Sequence, residues 1–260
     1  MHLLLASPDQ DRAGLVRALS GEGLVCDLAE PFAEAGSIAQ HSGPYDLVVL
    51  SVTDCGEQAI PTLRDIRRRG LRMPVVVVTT IATPEDEQAA LNLGADDVLT
   101  RPVSVPVLLA RLKAVTRRAL GHASSVVTCG NVVLDQARQM VTVDGRAVRI
   151  TRREFDVLET LMLRRGMLLT KDHFMSRLYG AEDGPDQRIL DVFVCKLRRK
   201  LAAAGAAEIV RTVWGRGYVL EEPSAAAIAA ARARFASGQP RQRRAHLAMG
   251  LEASQTAGVA

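Results

Sequence analysis

Aromatic side chains are scarce in this 260-residue chain: Phe, Tyr and Trp together make up 3% of it, with a single Trp. Any core must therefore be built from Leu, Val, Ala and Ile, which the 48% hydrophobic content supplies. Cysteine is sparse and scattered. Cys26, Cys55, Cys129 and Cys195 form no C-x-x-C pair, so neither a zinc site nor a disulfide framework is suggested. No apolar run approaches the roughly 20 residues that span a bilayer. The opening MHLLLASPDQ has one short apolar run, interrupted at Pro8 and Asp9, too little for a secretory signal. No glycine-rich phosphate cradle follows that run, which argues against a nucleotide-binding enzyme. What remains as the expectation is a cytoplasmic, two-domain globular protein, not an enzyme, with no cofactor and no metal.

Residues 186–220, DQRILDVFVCKLRRKLAAAGAAEIVRTVWGRGYVL, carry the most information. Leu190, Val194, Leu197 and Leu201 recur at helical spacing and predict one buried stripe. Arg188, Val192, Cys195, Lys196 and Arg199 fall on the opposite side. A helix divided in this way suits the major groove of DNA, where Arg and Lys reach guanine edges and Val touches a thymine methyl. The helix alone also fits a solvated basic face. The residues after the helix narrow the choice. Glu208 to Val213 alternates like a strand, Gly215-Arg216-Gly217 turns, and Tyr218-Val219-Leu220 returns, with Trp214 and Arg216 near the tip. A basic helix joined to an Arg-tipped hairpin reads as the recognition helix and wing of a winged helix-turn-helix. Ahead of it, strands are expected over 126–134 and 139–143 with a turn at Asp144-Gly145. Thr151 and Glu154 form a capping box that opens a helix ending at Gly166. A second helix runs from Thr170 to Tyr179, and residues 180–184 form the loop before the recognition helix.

The first 118 residues have a different rhythm. Short apolar runs at 2–6, 24–26, 45–51, 74–80 and 97–100 alternate with helical patterns at 9–22, 60–69, 85–93 and 105–118. Strands alternating with helices imply a parallel sheet covered on both faces, with function beyond the carboxyl ends of the strands. Charge divides along the same line. Residues 1–121 carry 12 basic and 15 acidic groups, residues 122–222 carry 16 and 13, and residues 223–260 carry 5 and 1. The relative excess of cations in the middle segment is that of a nucleic-acid module.

The run LDVFVCKLRRKLAA…VWGRGYVL resembles the DNA-binding domain of OmpR/PhoB-family response regulators, and within that family the cell-cycle regulators of alphaproteobacteria. Residues 1–118 are similar to the family's receiver domain over their full length, through YDLVVL, PVVVVT, GADDVLTRP and LLARLKAVTRR. The resemblance implies an α/β receiver, a flavodoxin-like doubly wound five-stranded parallel sheet, over 1–118. A linker at 119–125 follows, then an α+β winged helix-turn-helix over 126–222. Residues 223–260, rich in Ala and Arg, make a tail expected to be disordered, with a transient helix over 225–236 or nonspecific phosphate contacts as its other readings.

Carried over by position, Arg188, Val192, Phe193 and Lys196 fall where family members meet bases or flanking phosphates. Cys195, Arg198 and Arg199 face phosphates, and Trp214 and Arg216 sit in the wing; packing is the other reading of Trp214. The receiver departs from its family. The family holds Mg²⁺ with an acidic pair after the first strand, and here Ser7 and Pro8 stand in that place, followed by Asp9. The phosphoacceptor aspartate is Ser51. Thr79 fits the hydroxyl position, and Arg101, still followed by Pro102, replaces the lysine. Mg²⁺ prefers anionic oxygen ligands, and an unactivated serine is a weak nucleophile, so conventional phosphorylation is not expected. A small anion held by Arg101 and Thr79 is the alternative use of the pocket. Asp97 and Arg111 match one ion pair of the family's two-fold dimer face. The implied partners are double-stranded DNA, a second copy through the receiver, and RNA polymerase or a related regulator, with no membrane. An adaptor that heterodimerises with a related regulator is the rival reading.

Overall fold

A computed structural model describes residues 1–9, 12–180 and 184–238. The first domain runs β1 (His2–Ala6), α1 (Arg12–Gly21), β2 (Val25–Ala29), α2 (Ala35–His41), β3 (Leu47–Ser51), α3 (Ile60–Arg68), β4 (Val75–Thr79), α4 (Pro84–Asn92), β5 (Asp97–Thr100) and α5 (Val105–Ala119). The strands pair in parallel in the order β2-β1-β3-β4-β5. The runs HLLLA, LVVLS and VVVVT are buried at every position. Alternate side chains of a strand point to opposite faces. Leu4, Val48, Leu50, Val75 and Val77 therefore meet Leu63, Ile66 and Ala90 on one side. Leu3, Leu5, Val49, Val76 and Val78 meet Leu19, Leu108 and Leu112 on the other. One helix, α2, has no counterpart in the sequence reading: AGSIAQH is seven residues of mostly small side chains, too short to show a period.

The second domain opens with an antiparallel sheet, β6 (Val126–Cys129), β7 (Val132–Asp135), β8 (Met140–Val143) and β9 (Arg146–Ala147). The stretch 126–134, expected as one strand, is two. Gly130 takes a positive φ of 58° and folds the chain back, with Cys129 opposite Val132. Then come α6 (Arg152–Leu163), α7 (Lys171–Tyr179), α8 (Arg188–Ala203) and the hairpin β10 (Val210–Val213) and β11 (Gly217–Leu220). Thr151 accepts the Glu154 amide and Glu154 accepts the Thr151 amide, the capping box read from the sequence. The buried stripe of α8 (Leu190, Val194, Leu197 and Leu201) packs into one core with Phe155, Leu158, Leu161 and Phe174. Of the loop expected at 180–184, residues 181–183 lie outside the described residues.

The tail differs from its expected disorder and is helical over 225–236, its other reading. The tail carries a docked helix, α9 (Ala225–Ala236), capped by Ser224 and buried through Ala231; residues 239–260 lie outside the described residues. The segment 119–125 is pinned at two points: Leu120 packs against the second core, and a His122 ring nitrogen lies 2.9 Å from the Leu163 carbonyl oxygen.

The domains meet at the amino ends of the sheet strands. Asp46, just before β3, accepts from Arg164 Nη2 at 2.6 Å and from Arg177 Nη1. Burial pushes the Asp46 carboxyl up, but Arg177 and Arg164 outweigh it and hold it below the usual carboxylate range. The His2 ring, fully buried, bridges Asp27 and Ser176, each at 2.9 Å. Arg152 donates to the Glu22 carbonyl at 3.2 Å.

Candidate nucleic-acid interface and receiver pocket

Helix α8 divides as its sequence divides. Arg188, Val192, Cys195, Lys196 and Arg199 are exposed on one face. Arg188 stands in the first turn, and Val192 and Lys196 follow at four-residue intervals, so the three project from one side. Phe193 is half-buried and packs against the domain core instead of projecting with them. Trp214 is 80% exposed at the hairpin tip, which removes it from the core, and Arg216 is exposed beside it. The hairpin approaches the chain before α7 closely: a Cβ on Gly217 would stand 2.0 Å from the Leu169 carbonyl oxygen. With a φ of 142°, that position admits only glycine.

Arg198, expected to face phosphate, turns toward the protein. Its guanidinium donates twice to the Val210 carbonyl, at 3.1 and 2.9 Å, and to Thr212 Oγ1 at 2.9 Å, and lies 5.7 Å from the Tyr218 ring centroid. It ties the recognition helix to the first strand of the wing. Asp191 ties the helix's first half to the second strand of the wing. It accepts from Tyr218 Oη at 2.5 Å and from Lys171 Nζ at 2.8 Å. Burial would raise the Asp191 carboxyl, but Lys171 and Tyr218 hold it below its ordinary value. Lys200 closes on the buried Glu154 carboxylate at 2.6 Å, fixing α8 against the start of α6. Sequence reasoning missed these positioning contacts. Asp191 and Lys200 looked like ordinary helix charges, and only their spatial partners reveal them.

At the opposite end of the first domain several of the receiver positions lie together. Ser7, Ser51 and Thr79 are buried at the carboxyl ends of β1, β3 and β4. Arg101, after β5, reaches across: its Nη2 donates to Ser51 Oγ at 2.5 Å. Its Nη1 lies 3.4 Å from the Val52 carbonyl and 3.5 Å from Asp9 Oδ2. Asp9 Oδ1 accepts from Thr53, and the Thr79 hydroxyl is directed at the Thr53 and Ile81 carbonyls. Pro8 is exposed, and its side chain has neither donor nor acceptor. One carboxylate facing a guanidinium does not suit Mg²⁺, which takes anionic oxygens in octahedral array. On the neighbouring face Arg111 donates to Asp97 at 3.0 Å within the same chain.

A receiver-type α/β domain joined to a winged helix with an exposed basic recognition helix defines a DNA-binding response regulator. The model of the response regulator receiver domain matches residues 9–113 and that of the transcriptional regulatory protein C-terminal domain matches residues 145–220. The chain belongs to the OmpR/PhoB family of response regulators. It is 40% identical over 200 residues to the cell cycle response regulator CtrA of Brucella anthropi, covering 76% of this chain and 84% of that one. CtrA of Brucella ovis matches equally well. Among solved structures, DrrB of Thermotoga maritima, an OmpR/PhoB homologue, aligns over 85% of this chain and 98% of its own at 19% identity and a TM-score of 0.38. Among the described residues no helix is long and apolar enough to cross a membrane.

Proposed function

We propose that the protein is a sequence-specific, DNA-binding transcription regulator whose receiver works without aspartyl phosphorylation. The observation that carries the DNA half is the exposed set Arg188, Val192, Cys195, Lys196 and Arg199 on a helix otherwise locked into the core, with Trp214 and Arg216 standing out from the adjoining wing. Arg188 and Lys196 meet base edges, Arg199 meets phosphate, and Arg216 reaches the neighbouring minor groove. The receiver half rests on Arg101, whose guanidinium fills the space between Ser51 and Asp9. An internal cation there meets the available oxygens, and no carboxylate stands at the acceptor position. Two copies pair through the receiver face that bears Asp97 and Arg111, bind operator half-sites in the cytoplasm, and act on RNA polymerase there.

The test is titration of single variants against a specific and a scrambled duplex at two salt concentrations. Lys196→Ala and Arg188→Ala should each lose about 1–3 kcal/mol at the specific site and far less on the scrambled one. Arg199→Ala should weaken both alike and flatten the salt dependence. Unchanged specificity in both Lys196→Ala and Arg188→Ala would remove the recognition-helix assignment and favour an adaptor that pairs with a related regulator.

A further inference from the structure

Helix α9 lies beyond residue 220, where the family match ends, yet it grips the DNA-reading domain with its own side chains. Arg232 donates to Asp144 Oδ1 from Nε at 3.0 Å and from Nη2 at 2.5 Å. The Phe235 ring lies under the Arg146 guanidinium, 4.2 Å from centroid to Cζ. It also covers Gly205, where an added Cβ would sit 3.0 Å from Phe235 Cβ and Cγ. Pro223, leading into the helix, packs on Gly130.

Those anchor points share a destination. Asp144 Oδ2 accepts from Asn131 Nδ2 at 2.9 Å, and the same nitrogen donates to the Gly205 carbonyl at 3.0 Å. Asn131 Oδ1 accepts the Ala207 amide at 3.1 Å. Arg146 Nη2 donates to the Ala204 carbonyl at 3.2 Å, placing a cation at the C-terminus of α8 where the helix dipole favours one. All of them hold residues 204–207, the turn that carries the chain from the recognition helix into the wing. Arg198 grips the next stretch at Val210 and Thr212. The position of the wing relative to α8 is therefore fixed from both sides of one short connection.

We infer that α9 is a brace for DNA reading: through Arg232 and Phe235 it holds the turn at 204–207 and so sets the wing before DNA arrives. The inference rests on the assignment of α8 and the hairpin as the DNA-reading pair. A wing already in place loses less conformational freedom on binding, and preorganisation of this kind appears as affinity. Arg232, Phe235 and Asp144 are positioning residues and touch no DNA.

The full-length chain tests this, because its only Trp stands at the wing tip and reports wing motion directly. Phe235→Ala removes no charge, and Phe235 is 41% exposed, so the fold survives its loss. It should lower the steady-state fluorescence anisotropy of Trp214 in the free protein. It should also weaken binding to a specific duplex by about tenfold and reduce the preference for an A·T-rich over a G·C-rich flank. Asp144→Asn should do the same to a smaller degree, and Arg232→Lys should retain part of the wild-type behaviour. Arg234→Ala, on an exposed part of the same helix, should change none of these. Unchanged anisotropy, affinity and flank preference in Phe235→Ala and Asp144→Asn would overturn the brace. So would equal losses in Arg232→Ala and Arg234→Ala on every sequence with a flatter salt dependence, which would make α9 a direct phosphate contact. If the wild-type chain does not distinguish specific from scrambled duplex, the DNA-reading assignment fails, while the anisotropy measurement still decides whether α9 holds the hairpin.

Discussion

Replacing Asp46 by Asn strikes the contact that joins the two domains. The Asp46 side chain is 3% exposed, and its two partners, Arg164 and Arg177, are 9% and 3% exposed. Asn would keep the shape and remove the charge, leaving two buried guanidiniums beside each other without a counter-ion. Removal of one member of a buried ion cluster costs on the order of 3–5 kcal/mol, chiefly because the remaining charge is stranded. If that cost falls on docking, the docked form loses roughly 10²- to 10⁴-fold in its equilibrium with the opened form. Trypsin provides the assay. Arg117 and Arg118 close α5 at the domain junction, and cleavage there should accelerate in proportion to opening, with the chemical denaturation midpoint falling in parallel. A triple replacement, Asp46→Leu with Arg164→Met and Arg177→Met, should be far milder than the single one, since apolar substitutes strand nothing. Wild-type cleavage rate and midpoint in Asp46→Asn would refute the reasoning. A triple variant as damaged as the single one would show that shape, and not the uncompensated charge, sets the cost.

Two further outcomes are expected. Acetyl phosphate with Mg²⁺ should leave the intact mass of the protein unchanged, and Ser51→Asp alone should not restore an adduct, because Arg101 still occupies the pocket and Ser7 and Pro8 still offer no carboxylate; a stoichiometric phosphate on either protein would contradict this. Acid should weaken the fold from near the ordinary histidine range downward. Burial, with Arg164 and Arg177 close by, lowers His173 to about 4, so the unfolded chain binds a proton there that the folded chain refuses. That contribution is fully present above pH 6.5 and lost as the pH falls toward 4, and His173→Asn should flatten the denaturation midpoint across that window; an unchanged slope would exclude His173 as its source.

Legibility in the sequence followed the range of the interactions. The receiver strands stood out because LVVLS and VVVVT are buried on both faces and could not be anything exposed. The start of α6 was legible because a capping box is complete within four residues. Helix α2 was not, since its seven residues hold no full amphipathic period. Residues 126–134 read as one apolar strand, although the spacing of buried positions slips from two to three between Cys129 and Val132, where Gly130 turns the chain. The exposed basic face of α8 is legible from spacing alone. Arg198, expected to face phosphate, instead bonds the Val210 carbonyl and Thr212, on a hairpin whose docking angle no local pattern encodes. Asp46 was silent for the same reason: its partners stand more than a hundred residues away in the chain.

The two ends of the receiver sheet are closed by the same chemistry with opposite placement of charge. At the carboxyl end one guanidinium, Arg101, satisfies buried oxygens that in the wider family would surround a metal and a phosphate. At the amino end one carboxylate, Asp46, satisfies two guanidiniums of the neighbouring domain. Buried polar groups must be paired or the fold loses the cost of their desolvation; at the junction Asp46 pairs Arg164 Nη2 and Arg177 Nη1, while Arg164 Nη1 has no partner among the described residues. A switch needs two arrangements of similar free energy and a ligand that binds them differently. Release of the DNA-binding domain would separate Asp46 from Arg164 and Arg177, so those contacts favour the docked arrangement over an opened one. The recognition helix is exposed while the domains are docked. The docked arrangement thus presents the exposed face of α8 in one orientation relative to the receiver sheet.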